Sequence, residues 1–130
     1  ITAGMPLGVS GTTNMMKVHM VGHVLLTGAG ITEKSVSARL CVCKNLDELK
    51  TTFRDGDIIV APYTDNAMVE YLRRASGIIT EQPGLNTHAA IAGLAMDKPV
   101  ITGAEHAARI LKSGTVVTLD AKTGRVSSAT

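Results

Sequence analysis

Apolar and other positions alternate strictly between Ser35 and Cys43. Val36, Ala38, Leu40 and Val42 fall on one face, and Ser37, Arg39, Cys41 and Cys43 on the other. A period of two predicts a β-strand. Leu46–Phe53 then suits a short helix, with Asn45 placed to cap it. The run Asp57–Ala61 is short, apolar and closed by Pro62, which predicts a buried strand. Ala67, Met68, Tyr71, Leu72 and Ala75 recur at helical spacing. Thr64 stands where a helix cap belongs, Asp65 and Arg73-Arg74 suit the two ends of the helix dipole, and Gly77 fits the C-terminal stop. Further on, the pattern predicts a strand at Ile78–Thr80, a helix from His88 to about Met96, a strand at Val100–Ile101 and a helix over Ala104–Leu111, ending near Gly114. Val116–Leu119 and Arg125–Ser127 flank the turn Asp120–Gly124 and predict a hairpin, with glycine where positive φ is easiest.

The two ends of the chain differ from this middle. Residues 1–21 show two short extended pieces around a Ser10–Asn14 turn, with Met16, Val18 and Met20 alternating against Lys17 and His19. Gly22–Gly30 is loop-like, although Val24-Leu25-Leu26 is available as an edge strand, and the domain boundary is placed near Gly22. Strands alternating with helices, with hairpin-like pieces at both ends, predict an α/β fold with a mixed sheet.

Composition narrows the function classes. The chain has 130 residues, which suits one domain with a small appendage. Phe53, Tyr63 and Tyr71 are its only aromatic residues, too few for a base-stacking platform. The formal net charge is only +2 and the basic residues are scattered, so no nucleic-acid partner is expected. No apolar run is long enough to cross a bilayer, and no membrane partner is expected. Cys41 and Cys43 share a face at a spacing that is neither a Cys-x-x-Cys redox motif nor half of a zinc site, so free thiols in a reducing cytoplasm are expected. The chain opens at Ile1 inside an apparent strand, as a piece of a longer protein would.

Candidate chemistry concentrates at His88. The segment Ile78–Leu94 reads as a buried strand, a Pro83-Gly84 turn, a polar cap and a small-residue helix, with the imidazole in the first helical turn. Unpaired backbone N–H groups and the positive end of the dipole lie there, which is why helix starts hold phosphate. A ring nitrogen at that place is a candidate phosphoryl acceptor. The plainer alternative is a partly exposed polar side chain. The Ser10-Gly11-Thr12-Thr13-Asn14 turn is a second candidate, since its hydroxyls and N–H groups suit a phosphate, against the alternative of an ordinary polar turn. Gly28-Ala29-Gly30 begins like a dinucleotide fingerprint, but Glu33 occupies the third glycine position and no clear strand leads into it. His19, His23 and His106 show no metal-ligand spacing and read as structural or surface residues; no metal site is expected.

The residues around His88 carry a resemblance. Gly84-Leu85-Asn86-Thr87-His88-Ala89-Ala90 is similar to the Gly-Gly-x-Thr-Ser-His-Ala-Ala signature of the phosphohistidine swivelling domain found in pyruvate phosphate dikinase, phosphoenolpyruvate synthase and enzyme I. Asp97-Lys98-Pro99-Val100-Ile101-Thr102-Gly103 resembles the strand that follows it in that family. Ala3-Gly4-Met5-Pro6-Leu7-Gly8-Val9-Ser10-Gly11-Thr12-Thr13-Asn14 resembles the closing part of the pyruvate kinase C-terminal domain. The order of the two is that of bacterial pyruvate kinases with an extra C-terminal domain.

The resemblance implies a three-layer β/β/α swivelling-type domain over residues 22–130, preceded over residues 1–21 by terminal strands of the pyruvate kinase C-terminal domain. It implies a parent enzyme that moves phosphoryl from phosphoenolpyruvate to ADP with Mg2+ and K+, in a homotetramer, with catalytic residues upstream of this chain. It gives Ser10–Asn14 a place at an effector pocket for a sugar phosphate or nucleotide. In the transfer enzymes an arginine follows the histidine by about six residues, where this chain has Leu94; Pro83 replaces a glycine, and Asn86-Thr87 replace Thr-Ser. Leucine cannot balance a phosphate's charge. The expectation is therefore a structural or regulatory domain whose Gly84, Asn86, Thr87 and His88 keep the shape of an anion site, with a phosphohistidine carrier at His88 or an anion-binding module as the alternatives.

Overall fold

In a computed structural model, which describes residues 24–128, the alternating segment becomes the central strand β3 (Ser35–Val42). Its Leu40 enters one core cluster and its Cys41 the other, so both faces of its second half are buried. The following strands, β4 (Ile58–Ala61), β5 (Gly77–Thr80) and β6 (Val100–Thr102), repeat this. Ile58, Val60, Ile79 and Ile101 face one core, while Ile59, Ile78 and Val100 face the other. Continuous apolar runs are what strands covered on both faces require.

β3 to β6 are parallel neighbours in chain order. On the other side of β3, β7 (Val116–Asp120) pairs antiparallel with Ser35–Arg39, and β8 (Arg125–Ser128) completes the expected hairpin. The remaining edges are taken by one stretch of chain. β1 (Val24–Thr27) pairs with β8, and β2 (Ala29–Gly30) pairs with β6. These are opposite ends of the strand order β1-β8-β7-β3-β4-β5-β6-β2. Because β1 and β2 are joined through Gly28, the sheet must curl until its ends meet. The edge strand available at Val24-Leu25-Leu26 thus forms, as β1, and the rest of the segment expected to be loop-like carries the chain through Gly28 into β2, which closes the sheet.

This closure explains the glycines that imitate a dinucleotide fingerprint. A Cβ on Gly28 would lie 2.7 Å from the Thr102 carbonyl oxygen, and one on Gly30 would overlap the Ala121 carbonyl. Glycine is needed where two backbones cross this closely. A strand does lead into the motif, contrary to expectation; no helix of the described residues starts at Glu33.

The curled sheet has an inside and an outside. Leu26, Leu40, Val60, Ile79, Ile101, Val117, Leu119 and Val126 fill the inside with Ala107 and Leu111 around the short helix α4 (Ala107–Ile110). Outside, α1 (Leu46–Thr52), α2 (Val69–Arg74, after a 3-10 turn at Asn66–Met68) and α3 (His88–Met96) cover β3–β6 through Leu49, Met68, Leu72 and Ala89. Two β layers and one helical layer result, the β/β/α arrangement implied by the resemblance. Asn45 caps α1 as expected, its Oδ1 accepting from the Glu48 N–H at 2.9 Å.

Two local expectations are corrected. Gly77 does not stop α2: that helix ends at Ala75 in extended backbone, and Gly77 opens β5, where a Cβ would sit 3.0 Å from Leu119 Cδ1. The helix expected over Ala104–Leu111 is only α4, because His106 turns the chain at φ 61°. Cys41 and Cys43 are free and buried. The Cys43 thiol donates a hydrogen bond to Cys41, and this bond and burial together push it well up, so it stays protonated. A partly buried ion pair, with Asp57 buried and Arg39 half-buried, ties the layers together at one end: Arg39 on β3 donates to Asp57 Oδ1 at 3.0 Å and to the Thr52 carbonyl at 3.1 Å, while Asp57 also accepts from the Arg54 N–H. The strand pair, the Ser10–Asn14 turn, His19, His23 and the boundary at Gly22 lie outside the described residues.

Candidate anion site around His88

The site forms where β5 ends and α3 begins. Thr87 is the N-cap of α3: its Oγ1 accepts from the Ala90 N–H at 3.3 Å and donates to the Gly84 carbonyl at 3.2 Å. Gly84 stands at φ 123°, which side-chain-bearing residues rarely adopt, and so permits the loop to turn back onto Thr87. The Ile91 N–H bonds the Thr87 carbonyl. The N–H groups of His88 and Ala89, the first two of the helix, have no described protein partner. Asn86 and Leu85 are exposed, and His88 is half-buried.

Both nitrogens of the imidazole are occupied. Nδ1 lies 2.8 Å from Thr64 Oγ1, and Nε2 lies 3.1 Å from Asn66 Oδ1. With the amide oxygen accepting, Nε2 carries the proton and the one lone pair of the neutral ring lies on Nδ1, against the Thr64 hydroxyl. Thr64 is buried, at 4% exposure. Its role differs from the expected one. It does not cap the next helical segment, because Asp65 does, accepting from the Ala67 N–H at 3.1 Å. Thr64 and Asn66 are the residues that sequence reasoning missed here. The polar triplet Thr64-Asp65-Asn66 was visible, but only the fold brings it to a ring more than twenty residues away.

No hydrogen bond or ion pair among the described residues joins His88 to a lysine or arginine. Arg73 lies 3.9 Å from Glu70, and Arg74 pairs with Asp55 at 2.9 Å while its guanidinium stacks over Phe53 and Tyr71. Lys98 donates to the Ala75 carbonyl. Leu94 is 57% exposed, as is Ile91, and Leu85 is 70% exposed. The polar contacts of the imidazole orient the ring, and both partners, Thr64 and Asn66, are neutral. Among the described residues no group of His, Cys, Asp and Glu is arranged to hold a metal ion.

Residues 53–124, more than half of the chain, match the family described as PEP-utilising enzyme, mobile domain. The chain belongs to this family. Similarity to curated proteins runs further, along 97% of the chain: it is 42% identical over 126 residues to a pyruvate kinase of Geobacillus stearothermophilus and 43% identical over 126 residues to one of Bacillus licheniformis. The chain spans only 22% and 21% of those relatives' lengths. Among solved structures, Thermococcus kodakaraensis aconitase X matches with TM-score 0.62 at 19% identity, covering 78% of this chain and 95% of that one. An Enzyme I solution structure matches with TM-score 0.50 at 20% identity, covering 57% of this chain and 31% of that one. These two show the fold alone. The mobile-domain match reaches from the C-terminal end of α1 to the β7–β8 turn, so it includes His88 and the closing Gly124.

Proposed function

We propose that this chain is the C-terminal part of a bacterial, cytoplasmic pyruvate kinase, and that its mobile-type domain serves that enzyme structurally or as a regulator. The observation that carries the parentage is the similarity to pyruvate kinases along 97% of the chain, beginning well before the mobile-domain match. In this reading residues 1–21 complete the preceding domain, and Ser10–Asn14 contribute to a pocket for a phosphorylated effector. Transfer of phosphoryl from phosphoenolpyruvate to ADP, the Mg2+ and K+ it uses, and the tetramer contacts belong mostly to the rest of the protein. Sequencing upstream of Ile1 tests this directly: a kinase barrel is expected, and its absence overturns the parentage.

The role of the mobile-type domain rests on the His88 geometry. A phosphoryl acceptor needs a free lone pair, and the phosphorylated product needs a cation. Here the ring's lone pair faces a buried hydroxyl, and its described partners, Thr64 and Asn66, are neutral. The same first turn, capped by Thr87 and bent at Gly84, keeps the form of an anion site without the charge that makes a carrier. The test is incubation of the 130-residue chain with labelled phosphoenolpyruvate and a phosphoenolpyruvate-dependent histidine kinase. No acid-labile, base-stable label is expected. Such a label, lost in His88→Ala, overturns this part of the proposal and establishes the carrier.

A further inference from the structure

We propose that a cleft at the C-terminal ends of β3, β4 and β5, sharing no residue with the His88 site, binds the phosphate group of a small phosphorylated metabolite. The cleft has a volume of about 380 Å3 and is lined by Lys44, Pro62, Glu81, His106, Arg109 and Lys112, together with Ala108. Lys44 follows β3, Pro62 follows β4, Glu81 follows β5, and the other four come from α4 and its flanks. Parallel strands deliver their following loops to one side, so these three loops and α4 meet at one end of the sheet.

Charge is the informative property. The whole chain carries a formal net charge of +2. This one cleft gathers Lys44, Arg109 and Lys112 against a single carboxylate. Among the described residues Lys34, Arg39, Arg73 and Arg74 lie within ion-pair distance of an acidic side chain. Among the described residues Lys44, Arg109 and Lys112 form no ion pair. Glu81 is committed otherwise, its Oε2 accepting from the Ala108 N–H at 3.0 Å. Three cations against one carboxylate leave the cleft with a net positive charge, and a bound dianion offsets it.

The frame beneath these side chains is fixed. Ser113 Oγ accepts from the Val42 N–H at 2.8 Å, the Gly114 N–H bonds the Leu40 carbonyl at 2.9 Å, and the Leu40 N–H bonds the Thr115 carbonyl at 2.8 Å. These bonds pin the segment after Lys112 to the strand that leads into Lys44. Glu81 and Gln82 are held to Ala61 and Pro62 by backbone bonds at 3.2 and 3.0 Å. His106 is held at φ 61° and ψ 21°, a conformation uncommon outside glycine, and its Nδ1 lies 3.3 Å from the Arg109 guanidinium. That contact places the guanidinium's fork, which matches phosphate oxygens in pairs.

Size and lining set the ligand class. The volume falls in the range of small-molecule sites, about 300–1,000 Å3. No Phe, Tyr or Trp lines the cleft, so a nucleotide base has no platform there. A phosphorylated sugar or three-carbon acid fits, with the phosphate between Arg109 and the two lysines.

The test is a titration of the 15N-labelled 130-residue chain with glycerol 3-phosphate at constant ionic strength, with glycerol as the control. Saturable shifts are expected at the amides of Lys44, Ala108, Arg109 and Lys112, with none from glycerol. In the double variant Lys44→Gln, Lys112→Gln the apparent affinity is expected to fall about tenfold or more, since two charge-assisted contacts are lost. Both side chains are exposed, and the wild-type shift map stands even if the variant misfolds. Shifts confined to Gly84–Ala90, shifts linear in ligand without saturation, an equal response to glycerol, or a folded double variant with unchanged affinity would each overturn the proposal.

Discussion

The contact between Thr64 and His88 is the point at which the site depends most on the fold, and Thr64→Val tests it. Valine keeps the shape of the side chain and removes the hydroxyl that lies 2.8 Å from Nδ1. A typical internal hydrogen bond contributes about 0.5–1.5 kcal/mol net, and a buried polar atom left without a partner costs about 1–3 kcal/mol. Thr64 is buried but His88 is only half-buried, so water can reach part of the ring. The lower end of the second range applies, and the expected cost is about 1 kcal/mol, or a fall in Tm of about 4 °C for a domain of this size. A double-mutant cycle isolates the pair: Thr64→Val is made again in a His88→Ala background, and all four chains are unfolded in urea and followed by far-ultraviolet circular dichroism. The valine should cost almost nothing once the ring is gone, giving a coupling of about 1 kcal/mol. Proton-detected nitrogen spectra of the ring supply a second readout, with one tautomer expected in the parent chain and a mixture in Thr64→Val. Equal costs in the two backgrounds, within about 0.3 kcal/mol, would refute the claim that this hydroxyl holds the imidazole.

Other perturbations follow from the same structure. Arg39→Met removes the cation from Asp57, which is 3% exposed, and should destabilise the domain by about 3 kcal/mol in urea; a loss under about 1 kcal/mol would show that the Arg54 N–H suffices. Gly30→Ala places a methyl group on the Ala121 carbonyl, with only backbone to yield, and should cost at least about 2 kcal/mol and weaken hydrogen-exchange protection in β2; an unchanged midpoint would mean that the strand crossing is looser than described. Cys41 and Cys43 are buried, and Cys43 stays protonated, so a thiol reagent at pH 8 should label neither in the folded chain during the time that labels both in urea. Rapid labelling of the native chain would contradict that burial.

Much of the element structure was legible because it depends on neighbours in sequence. The two faces of β3 followed from alternation, and the limits of α3 followed from a polar cap and a small-residue run. The Asn45 cap and the β7–β8 hairpin are likewise matters of a few residues. The failures were also local in kind. Thr64 and Gly77 have side chains suited to cap and stop a helix, yet both serve distant partners instead. Local propensity offered two uses for each residue, and packing chose between them.

The sequence alone determined which stretches become strands and helices, that His88 opens a helix, and to which family the motifs around it belong, because capping and periodicity act over one or two turns of chain. Only the tertiary structure decided that Val24–Gly30 closes the sheet at both ends, that the imidazole is held by Thr64 and Asn66, and that Lys44, Arg109 and Lys112 meet in one cleft. Each of these joins positions far apart in the chain, and such contacts depend on the order in which strands pair and the way the sheet curls. No window of sequence contains that information, since the same strands in another order would place the same residues beside different partners.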